Sequence, residues 1–207
     1  MSEFIRLYQE NPNTKSIVKI VECLRNGGVI IYPTDTVYAL GCDINNTKAL
    51  KRLASVKRVN LEKANFSFIC FDLKDLSVYT KQLSTPTYKI LNRALPGSFT
   101  FILKGSRTLP KVFKNKKTVG IRVPQSNITR ALVKELGNPI VSTSIHHDDE
   151  IIEYMSDPQE IYEKYKSLVD IVIDGGFIGN TPSTVIDLSD ETPVLIREGK
   201  GDFNTVL

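Results

Sequence analysis

Three consecutive side chains that can bind a polar ligand stand between two apolar runs near the start of the sequence. Thr34, Asp35 and Thr36 interrupt the segment IYPTDTVYALGC, which begins at Ile31. A plain turn favours Gly, Asn or Pro, because these residues solve a backbone problem, whereas two hydroxyls and a carboxylate can also contact a small polar ligand. These residues are also common turn formers, so a turn that satisfies only its own backbone is the alternative.

Hydroxyl groups and arginines also stand at or near the ends of other predicted strands. In open α/β sheets, ligands bind beyond the strand ends, where loops converge. Arginine offers a planar fork of donors and Ser or Thr adds uncharged donors, so this set is typical of a site for a carboxylate or a phosphate. The residues are Ser98, Arg122, Ser142, Thr143, Ser144, Ser183, Thr184 and Arg197.

Two of these arginines lie inside apolar segments. Arg122 is in VGIRVP and Arg197 is in VLIREG. An arginine in an apolar strand must reach solvent or find an anion. Glu198 is a candidate partner for Arg197. For the Ser-Thr-Ser segment that begins at Ser142, a polar edge strand is the alternative to a ligand site.

Several familiar nucleotide and metal sites are missing from the sequence. It contains no GxxxxGK[ST] and no GxGxxG segment, which argues against nucleotide binding by either loop. His146 and His147 are adjacent, so on a strand they would face opposite sides and would not easily share a metal ion. We therefore expect no metal held by the protein itself, and any Mg²⁺ would be carried by a nucleotide.

The three cysteines, Cys23, Cys42 and Cys70, lie far apart without a CxxC pair. This spacing predicts reduced thiols in a cytoplasmic protein without a structural zinc. Cys42 and Cys70 are interpreted as core residues, and a nucleophilic thiol is the less favoured alternative. No apolar run approaches about 18 residues, which predicts no membrane span, and the opening residues MSEFIRLYQENPN lack the pattern of a signal peptide.

The formal net charge of +4 is unevenly distributed. Residues 76–134 contain 12 Lys or Arg and no Asp or Glu, whereas an acidic segment, HHDDEIIEYMSDPQEIYEK, begins at His146. An acid-free stretch of this length predicts a surface that meets phosphate, in a nucleotide or in a nucleic acid. A solvated lysine surface is the alternative, above all for the segment KVFKNKK.

Helical and strand periodicities alternate along the chain and predict the elements that position these residues. Predicted helices begin at Thr14 as N-cap, at Asn46 or Thr47, at Thr85, at Ser126 and at Asp157. Predicted strands are VIIY, FSFICF, SFTFIL, TVGIRV, PIVSTSI, LVDIVID, STVIDL and PVLIRE. Strands outnumber helices in the second half of the chain, which favours a mixed sheet over a purely parallel one.

The chain is long enough for one good-sized domain, and nothing in it indicates a division. We found no linker, repeat or low-complexity tract in its 207 residues. The sequence therefore predicts a single α/β domain over residues 1–207, with a core from about residue 14 to about residue 201. Lys104–Lys117 is predicted to form a mobile loop.

Six segments, in this order and spacing, resemble the YrdC-like family of threonylcarbamoyl-AMP synthases, and most closely its YciO branch. The resemblance covers roughly residues 27–201. It implies a single YrdC-like domain with a twisted mixed sheet and flanking helices around a concave basic cavity. The segments are GGVIIYPTDTVYALGC, LPGSFTFIL, TVGIRVP, PIVSTS, PSTVID and LIREG.

The resemblance implies a nucleotidyltransferase reaction. In the family, L-threonine and bicarbonate form N-carboxythreonine, whose oxygen attacks the α-phosphorus of ATP. Pyrophosphate leaves, and threonylcarbamoyl-AMP feeds the t6A modification of tRNA. Such chemistry relies on positioning and charge neutralisation, with Mg²⁺ carried by ATP, so no catalytic side chain is assigned.

The same resemblance implies two groups of site residues. One group would bind threonine, with its carboxylate on the arginine: Thr36, Arg122 and Ser183. The other would contact ATP: Arg58, Thr118, Ser144 and Arg197. Arg58 corresponds to the arginine of the family's Lys-x-Arg motif, which faces the phosphates.

The chain departs from the family motifs on the nucleotide side. Val56 stands at the lysine of the Lys-x-Arg motif, and Lys57 follows one position later, a rotation of about 100° on a helix. The segment VNLEKANFSF lacks the family's SxN contact, and His146 stands where the family has asparagine. These changes predict a weak or altered activity. The alternative function is binding of double-stranded RNA or tRNA by the basic concave face, without efficient catalysis.

Overall fold

A computed structural model of the protein describes residues 2–145, 154–190 and 192–206. In these ranges it contains ten strands, β1 Glu3–Arg6, β2 Val29–Tyr32, β3 Ala39–Asp43, β4 Ser67–Ile69, β5 Phe99–Lys104, β6 Thr118–Arg122, β7 Ile140–Ser144, β8 Ile171–Asp174, β9 Thr184–Asp187 and β10 Val194–Arg197. The helices are α1 Thr14–Arg25, α2 Thr47–Val56, α3 Leu73–Tyr79, α4 Thr85–Ala94, α5 Asn127–Leu136 and α6 Pro158–Tyr165. Short 3₁₀ turns cover Lys111–Phe113 and Phe203–Thr205. No helix in the described ranges is long and apolar enough to cross a membrane.

All ten strands belong to one sheet in the order β1-β8-β2-β3-β7-β4-β6-β5-β9-β10. Four neighbouring pairs are parallel, β1 with β8, β2 with β8, β4 with β6 and β5 with β9, and the others are antiparallel. The predicted mixed α/β sheet is therefore confirmed. The alternative interpretation of the Ser-Thr-Ser segment as a polar edge strand is wrong, because β7 lies between β3 and β4.

Each face of the sheet carries its own apolar cluster. Helices α1 and α5 cover one face over β8, β2 and β3, and pack residues such as Ile20 and Leu132 against Ile30. The opposite face packs against α2, α4 and α6, with buried residues that include Leu53 and Ile161. The face covered by α1 and α5 continues onto β6, β5 and β9. No helix of the described ranges covers it there, and its side chains line a cavity.

Side-chain acceptors that precede the first turn explain where the helices begin. Asn13 rather than Thr14 caps α1, and its Oδ1 accepts from the backbone N–H of Ser16. Ser84 rather than Thr85 caps α4 in the same way. In both cases the cap has an extended backbone, as an N-cap requires. The predicted caps of α2 and α6, at Asn46 and Asp157, are confirmed.

Three elements were not predicted: β1, β3 and α3. Strand β1 is only four residues long and has charged residues at both ends, so its periodicity is too short to detect. Strand β3 is buried along its whole length and therefore lacks the alternation of a half-exposed strand. Helix α3 begins at a capping aspartate, Asp72, whose Oδ1 accepts from two backbone N–H groups.

The segment predicted to be a mobile loop, Lys104–Lys117, is anchored to the body of the protein. Leu109 and Phe113 are buried, and the Phe113 ring lies against the Phe68 ring with centroids 5.1 Å apart. Lys116 donates from Nζ to the carbonyl oxygen of Ala64 at 2.6 Å. The apolar anchors were hidden in the sequence by the surrounding lysines.

Candidate functional site

The polar turn between β2 and β3 serves two purposes. Thr34 satisfies the local backbone: its Oγ1 accepts from the N–H groups of Thr36 and Val37, at 3.1 and 3.2 Å, and donates to the carbonyl of Val37 at 2.7 Å. The self-satisfying turn is thus the right description of Thr34. It is not the right description of Asp35 and Thr36, whose side chains reach another strand.

Asp35 and Thr36 hold the guanidinium of Arg122, the last residue of β6. Arg122 Nη2 donates to Asp35 Oδ1 at 2.5 Å and to Thr36 Oγ1 at 2.7 Å. The side chains of the ion pair are only 8% and 7% exposed. The second oxygen of Asp35 accepts from Ser98 Oγ at 3.0 Å. The anion that a buried arginine requires is therefore supplied by the chain itself, 87 residues away in sequence.

One nitrogen of this guanidinium lacks an acceptor. Arg122 Nε is the one buried side-chain nitrogen or oxygen without a hydrogen-bond partner in the described ranges. Leaving such a donor unpaired costs about 1–3 kcal/mol, and more for a charged group. An acceptor that reaches Nε would remove this penalty.

A cavity of about 430 Å³ extends from Arg122 across β6, β5, β9 and β7. Its floor is formed by small residues in register on three adjacent strands, since Ser142 pairs with Ser67 and Ser67 pairs with Gly120. The buried hydroxyl of Tyr32 donates to Ser142 Oγ at 2.6 Å and fixes one end of this floor. Three cations line the cavity, Lys116, Arg122 and Arg197. The predicted concave basic cavity is present.

Ser183 lines the same cavity and lies immediately before β9. Its hydroxyl is 2.8 Å from Thr100 Oγ1 on the neighbouring strand β5. Arg197 donates from Nε and Nη2 to the carbonyl of Ser183, at 3.2 and 2.8 Å. The interpretation that Glu198 is the partner of Arg197 is wrong, because the guanidinium contacts Ser183 and forms no ion pair with Glu198.

Thr118 and Ser144 also line the cavity, at the ends of β6 and β7 away from Arg122. Together with Thr36, Arg122, Ser183 and Arg197, they place six of the seven predicted site residues in or directly beside one cavity. The seventh, Arg58, is exposed, lies outside the cavity lining and has a φ of 56° just beyond the end of α2. Its nucleotide contact stays a prediction.

Lys57, the lysine displaced by one position, reaches the cavity wall. Its Nζ donates to the carbonyl oxygen of Ser144 at 2.8 Å, whereas Val56 packs against the apolar cluster on the other side. Partial burial lowers the pKa of the Lys57 ammonium from 10.5 to about 8. Burial also lowers the pKa of Lys116. Both changes reflect the loss of water around an ammonium group.

Sequence reasoning left several site residues without a role: Asp35, Ser67, Thr100, Lys116 and Asp187. Asp35 belongs to the polar turn that was predicted to bind a ligand, but its pairing with Arg122 could not be predicted from local sequence. Lys116 stood in KVFKNKK, for which a solvated surface was an open alternative. Asp187 ends the strand STVID, and nothing in the spacing marked it.

Other residues considered for chemistry lie outside this site. Cys42 and Cys70 are buried, and burial raises the pKa of both thiols, so neither is an activated nucleophile. The described ranges contain no cluster of three or more His, Cys, Asp or Glu that could hold a metal ion. His146 and His147, with the proposed asparagine replacement at His146, lie outside the described residues.

Comparison with known proteins identifies relatives of this fold and sequence. The family model Sua5/YciO/YrdC, described as "Telomere recombination", matches residues 22–199. The chain is 41% identical to YciO of Escherichia coli strain K12 over the full length of both proteins, and the crystal structure of E. coli YciO superposes with a TM-score of 0.92. A threonylcarbamoyl-AMP synthase of Coxiella burnetii is 32% identical over 66% of this chain and 74% of that protein.

One solved structure of a relative contains a small ligand. The crystal structure of P. abyssi Sua5 complexed with L-threonine has a TM-score of 0.86 and 27% sequence identity to this chain. It is matched over 96% of this chain and 58% of that one.

Proposed function

Because the chain belongs to the Sua5/YciO/YrdC family, we propose that its cavity binds L-threonine beside ATP and forms threonylcarbamoyl-AMP from threonine, bicarbonate and ATP for tRNA modification. The departures on the nucleotide side are expected to make this activity weaker than in the synthases or to shift its substrate. The observation that carries the proposal is the Arg122 guanidinium, buried at one end of a basic cavity with an unpaired Nε.

Arg122 is the group that would bind the carboxylate of threonine. Asp35 neutralises part of the charge of Arg122 and holds Nη2. Binding of the carboxylate therefore depends more on the direction of the free Nε–H than on the net charge of the arginine. Because Nε is buried, the carboxylate reaches it after a small rotation of the guanidinium or of the Thr36 hydroxyl. The L-threonine complex of P. abyssi Sua5 supports an amino-acid site in this fold.

The two hydroxyls on either side of Arg122 would bind the rest of the amino acid. Thr36 Oγ1 lies 2.7 Å from Arg122 Nη2, and Ser183 lines the same cavity, where Thr100 and Arg197 contact it. Short neutral hydroxyls can both donate and accept. They therefore suit the threonine hydroxyl and the carbamate nitrogen equally well.

The far half of the cavity would hold the nucleotide. Thr118, Ser144 and Arg197 line it, and Lys116 adds a cation whose pKa is lowered by partial burial. Lys57 lies against Ser144 and can swing from that carbonyl to a phosphate oxygen. Mg²⁺ would enter with ATP and neutralise its phosphates, so the chain needs no metal site of its own.

In the proposed reaction a carbamate oxygen of N-carboxythreonine forms a bond to the α-phosphorus. The bond from that phosphorus to the bridging oxygen breaks, and pyrophosphate carries the electron pair away. The side chains position the two reactants and stabilise the charge on the phosphates, which is what phosphoryl-type transfers chiefly require.

The test is pyrophosphate release from ATP and Mg²⁺ with bicarbonate, measured with and without L-threonine, followed by mass analysis of the adenylate. We expect threonine-dependent release and the mass of threonylcarbamoyl-AMP. Arg122→Lys keeps the charge but loses the planar donor fork, and is expected to raise the KM for threonine at least about tenfold, the equivalent of one charge-assisted hydrogen bond.

Release of pyrophosphate that ignores threonine would contradict the proposal, and so would an Arg122→Lys protein with an unchanged threonine KM. Arg107→Lys is the matched control, because it makes the same exchange in the exposed part of the Lys104–Lys117 loop. It should leave the threonine KM unaltered.

A second candidate function is the binding of double-stranded RNA or tRNA. The supporting observation is the acid-free stretch 76–134, whose Lys81, Lys89, Lys114 and Lys117 are exposed and form no ion pair within the described ranges. Such binding would weaken steeply with salt, because phosphate contacts release counterions. Changing Lys114 and Lys117 to Ser should lower RNA affinity and leave threonine-dependent pyrophosphate release intact, and the opposite result would reject an RNA role for this loop.

A further inference from the structure

Asp187, the last residue of β9, is the one carboxylate among the described residues that line the cavity. The charged groups that share this lining are Lys116, Arg122 and Arg197, all cationic. A lone carboxylate weakens the attraction of such a cavity for an anion. A cavity that binds an anionic ligand therefore gains from Asp187 only if this residue contacts a neutral or positive part of the ligand.

The contacts of Asp187 leave half of its carboxylate available. Oδ1 accepts from the backbone N–H of Ser189 at 2.7 Å. Within the described ranges, Oδ2 accepts no hydrogen bond and the side chain forms no ion pair. This differs from Asp35, whose two oxygens are both occupied, by Arg122 and by Ser98.

The sheet register fixes where Asp187 stands in relation to Arg122. Asp187 pairs with Ile102 on β5, and Ile102 pairs with Gly120 on β6, two residues before Arg122. Two steps across the sheet and two residues along a strand place the Cα atoms of Asp187 and Arg122 about 12 Å apart. Thr118 and Arg197 lie on β6 and β10, on the two sides of Asp187.

This separation of the two Cα atoms is comparable with the length of the proposed product. From the carboxyl carbon of threonylcarbamoyl-AMP to a ribose hydroxyl there are about ten bonds, or roughly 12 Å when the chain is extended. With the threonine carboxylate on Arg122, the ribose of the nucleotide comes within reach of Asp187. The phosphate, which a carboxylate repels, falls between the two.

We propose that Asp187 binds the 2′,3′-diol of the nucleotide ribose and makes the cavity selective for ribonucleotides. The inference rests on the proposed function, because it requires a nucleotide in the cavity. A ribose diol presents two O–H donors on adjacent carbons, which fits a carboxylate with one free oxygen and one that can accept a second bond. Carboxylates bind ribose hydroxyls in this manner in dinucleotide-binding folds.

Two other ligand groups could meet a carboxylate, and both are less well supported. An exocyclic amine of the base offers donors, but the bond count above brings the ribose to Asp187 before the base. A Mg²⁺ ion would need several further oxygen ligands, and the described residues supply no cluster of acidic groups around Asp187. Both are outcomes that the experiment can detect.

The experiment compares the Kd values of ATP, 2′-deoxy-ATP, 3′-deoxy-ATP and inosine triphosphate by calorimetry, with and without Mg²⁺. The full chain is measured as wild type and with Asp187→Ala and Asp187→Asn. We expect the wild type to bind ATP at least about tenfold more tightly than either deoxynucleotide, the value of one charge-assisted hydrogen bond. This preference should disappear in Asp187→Ala and persist in part in Asp187→Asn, which keeps one acceptor. The ratio is the readout, because removing a negative charge also changes the attraction for phosphate in general.

Asp190→Asn is the matched control. Asp190 is three residues further along, 87% exposed, and pairs with Lys104 outside the cavity. The Asp190→Asn variant loses the same charge as Asp187→Asn but should retain the wild-type preference for ATP over the deoxynucleotides.

Three results would overturn the inference. The first is a wild type that does not distinguish ATP from the deoxynucleotides, and the second is a preference that survives in Asp187→Ala. The third is a result that assigns Asp187 to another part of the ligand. A loss in Asp187→Ala of discrimination between ATP and inosine triphosphate would assign it to the base, and an effect seen only with Mg²⁺ would assign it to the metal. In all three cases ATP still binds and the proposed function stands, whereas a protein that binds no nucleotide would refute both.

Discussion

Arg122 owes its position to three oxygen atoms that all belong to one turn. Thr36 and Asp35 accept from Nη2 at hydrogen-bond distance, and Thr34 Oγ1 lies 3.5 Å away. Asp35 in turn is held by Ser98 through its side chain and by Lys200 through its carbonyl. Asp35 is therefore the residue that joins the turn, β5, β6 and the C-terminal segment around the arginine.

Removing Asp35 should destabilise the fold far more than removing an aspartate of the surface. Asp35→Ala leaves a guanidinium buried without its counter-ion, which costs about 3–5 kcal/mol. Asp190→Ala breaks the ion pair of an aspartate with Lys104 at an exposed site, where the expected loss is below about 1 kcal/mol. Urea unfolding of the two variants measures the difference. Equal losses would show that Arg122 finds another anion.

Lys57 should titrate well below an ordinary lysine. Burial lowers its pKa from 10.5 to about 8. Since the pKa in the folded state lies below the unfolded value, the charged form costs stability below about pH 8, and this cost is relieved as the pH rises towards 10.5. NMR of the protein with ¹³Cε-labelled lysine should show one signal with a midpoint near pH 8 that is missing in Lys57→Arg. If every lysine signal titrates above about pH 10, near the ordinary lysine value, the ammonium is hydrated.

At the scale of secondary-structure elements, the cavity depends on three strands that carry small residues at the same level. Ser142, Ser67 and Gly120 are register partners on β7, β4 and β6. An added Cβ at Gly120 would meet Ser67 Oγ at 3.1 Å. The strands can therefore hold a ligand against their backbone, which larger side chains would prevent.

Gly120→Val tests this floor. Valine suits a strand, so the loss of stability should stay within the range of about 1–3 kcal/mol typical of overpacking. Its side chain fills the middle of the cavity, so affinity for ATP should fall by more than about tenfold, equivalent to about 1.4 kcal/mol. Gly120→Ala is the graded control and should show a smaller decrease. Unchanged ATP affinity in both variants would mean that the nucleotide does not cross the floor.

Local sequence predicted most of these elements but not the contacts between them. Asn46 and the period of α2 are visible within ten residues, and so is the β-like run that contains Arg122. The pairing of Arg122 with Asp35 spans 87 positions, and the contact of Lys57 with Ser144 also spans 87 positions. Such contacts follow from strand order, which short-range periodicity does not contain. Likewise, Asp187 became a candidate only when the register placed it beside Ile102 and Gly120.

For the whole molecule, the sheet separates the cavity from the packing of α6, although both faces carry an apolar cluster. Helix α6 and its buried Ile161 pack on the face opposite to the cavity, against β8. The cavity lies on the other face, over β6, β5 and β9. Packing losses on the α6 side should therefore reach the site only through global unfolding.

Ile161→Ala should lower the free energy of unfolding by about 2–5 kcal/mol, because it opens a cavity in a fully buried cluster. In conditions where the variant is folded, its affinities for threonine and ATP should equal those of the wild type. Urea unfolding gives the first quantity and calorimetry the second. A matching loss of affinity would show that the two faces are coupled.

The two ends of the described chain lie at very different distances from the cavity. Strand β1 forms one edge of the sheet and β10 the other, roughly 40 Å away at ordinary strand spacing. After β10 the chain turns back, Lys200 donates to the carbonyl of Asp35, and Gly201 packs against the ring of Phe99. An affinity tag or a fluorophore fused after residue 206 would thus be tethered a few residues from the turn that holds Arg122. Fused before residue 2, it would leave from the remote edge, which makes that end the better choice for immobilising the protein in a ligand-binding assay.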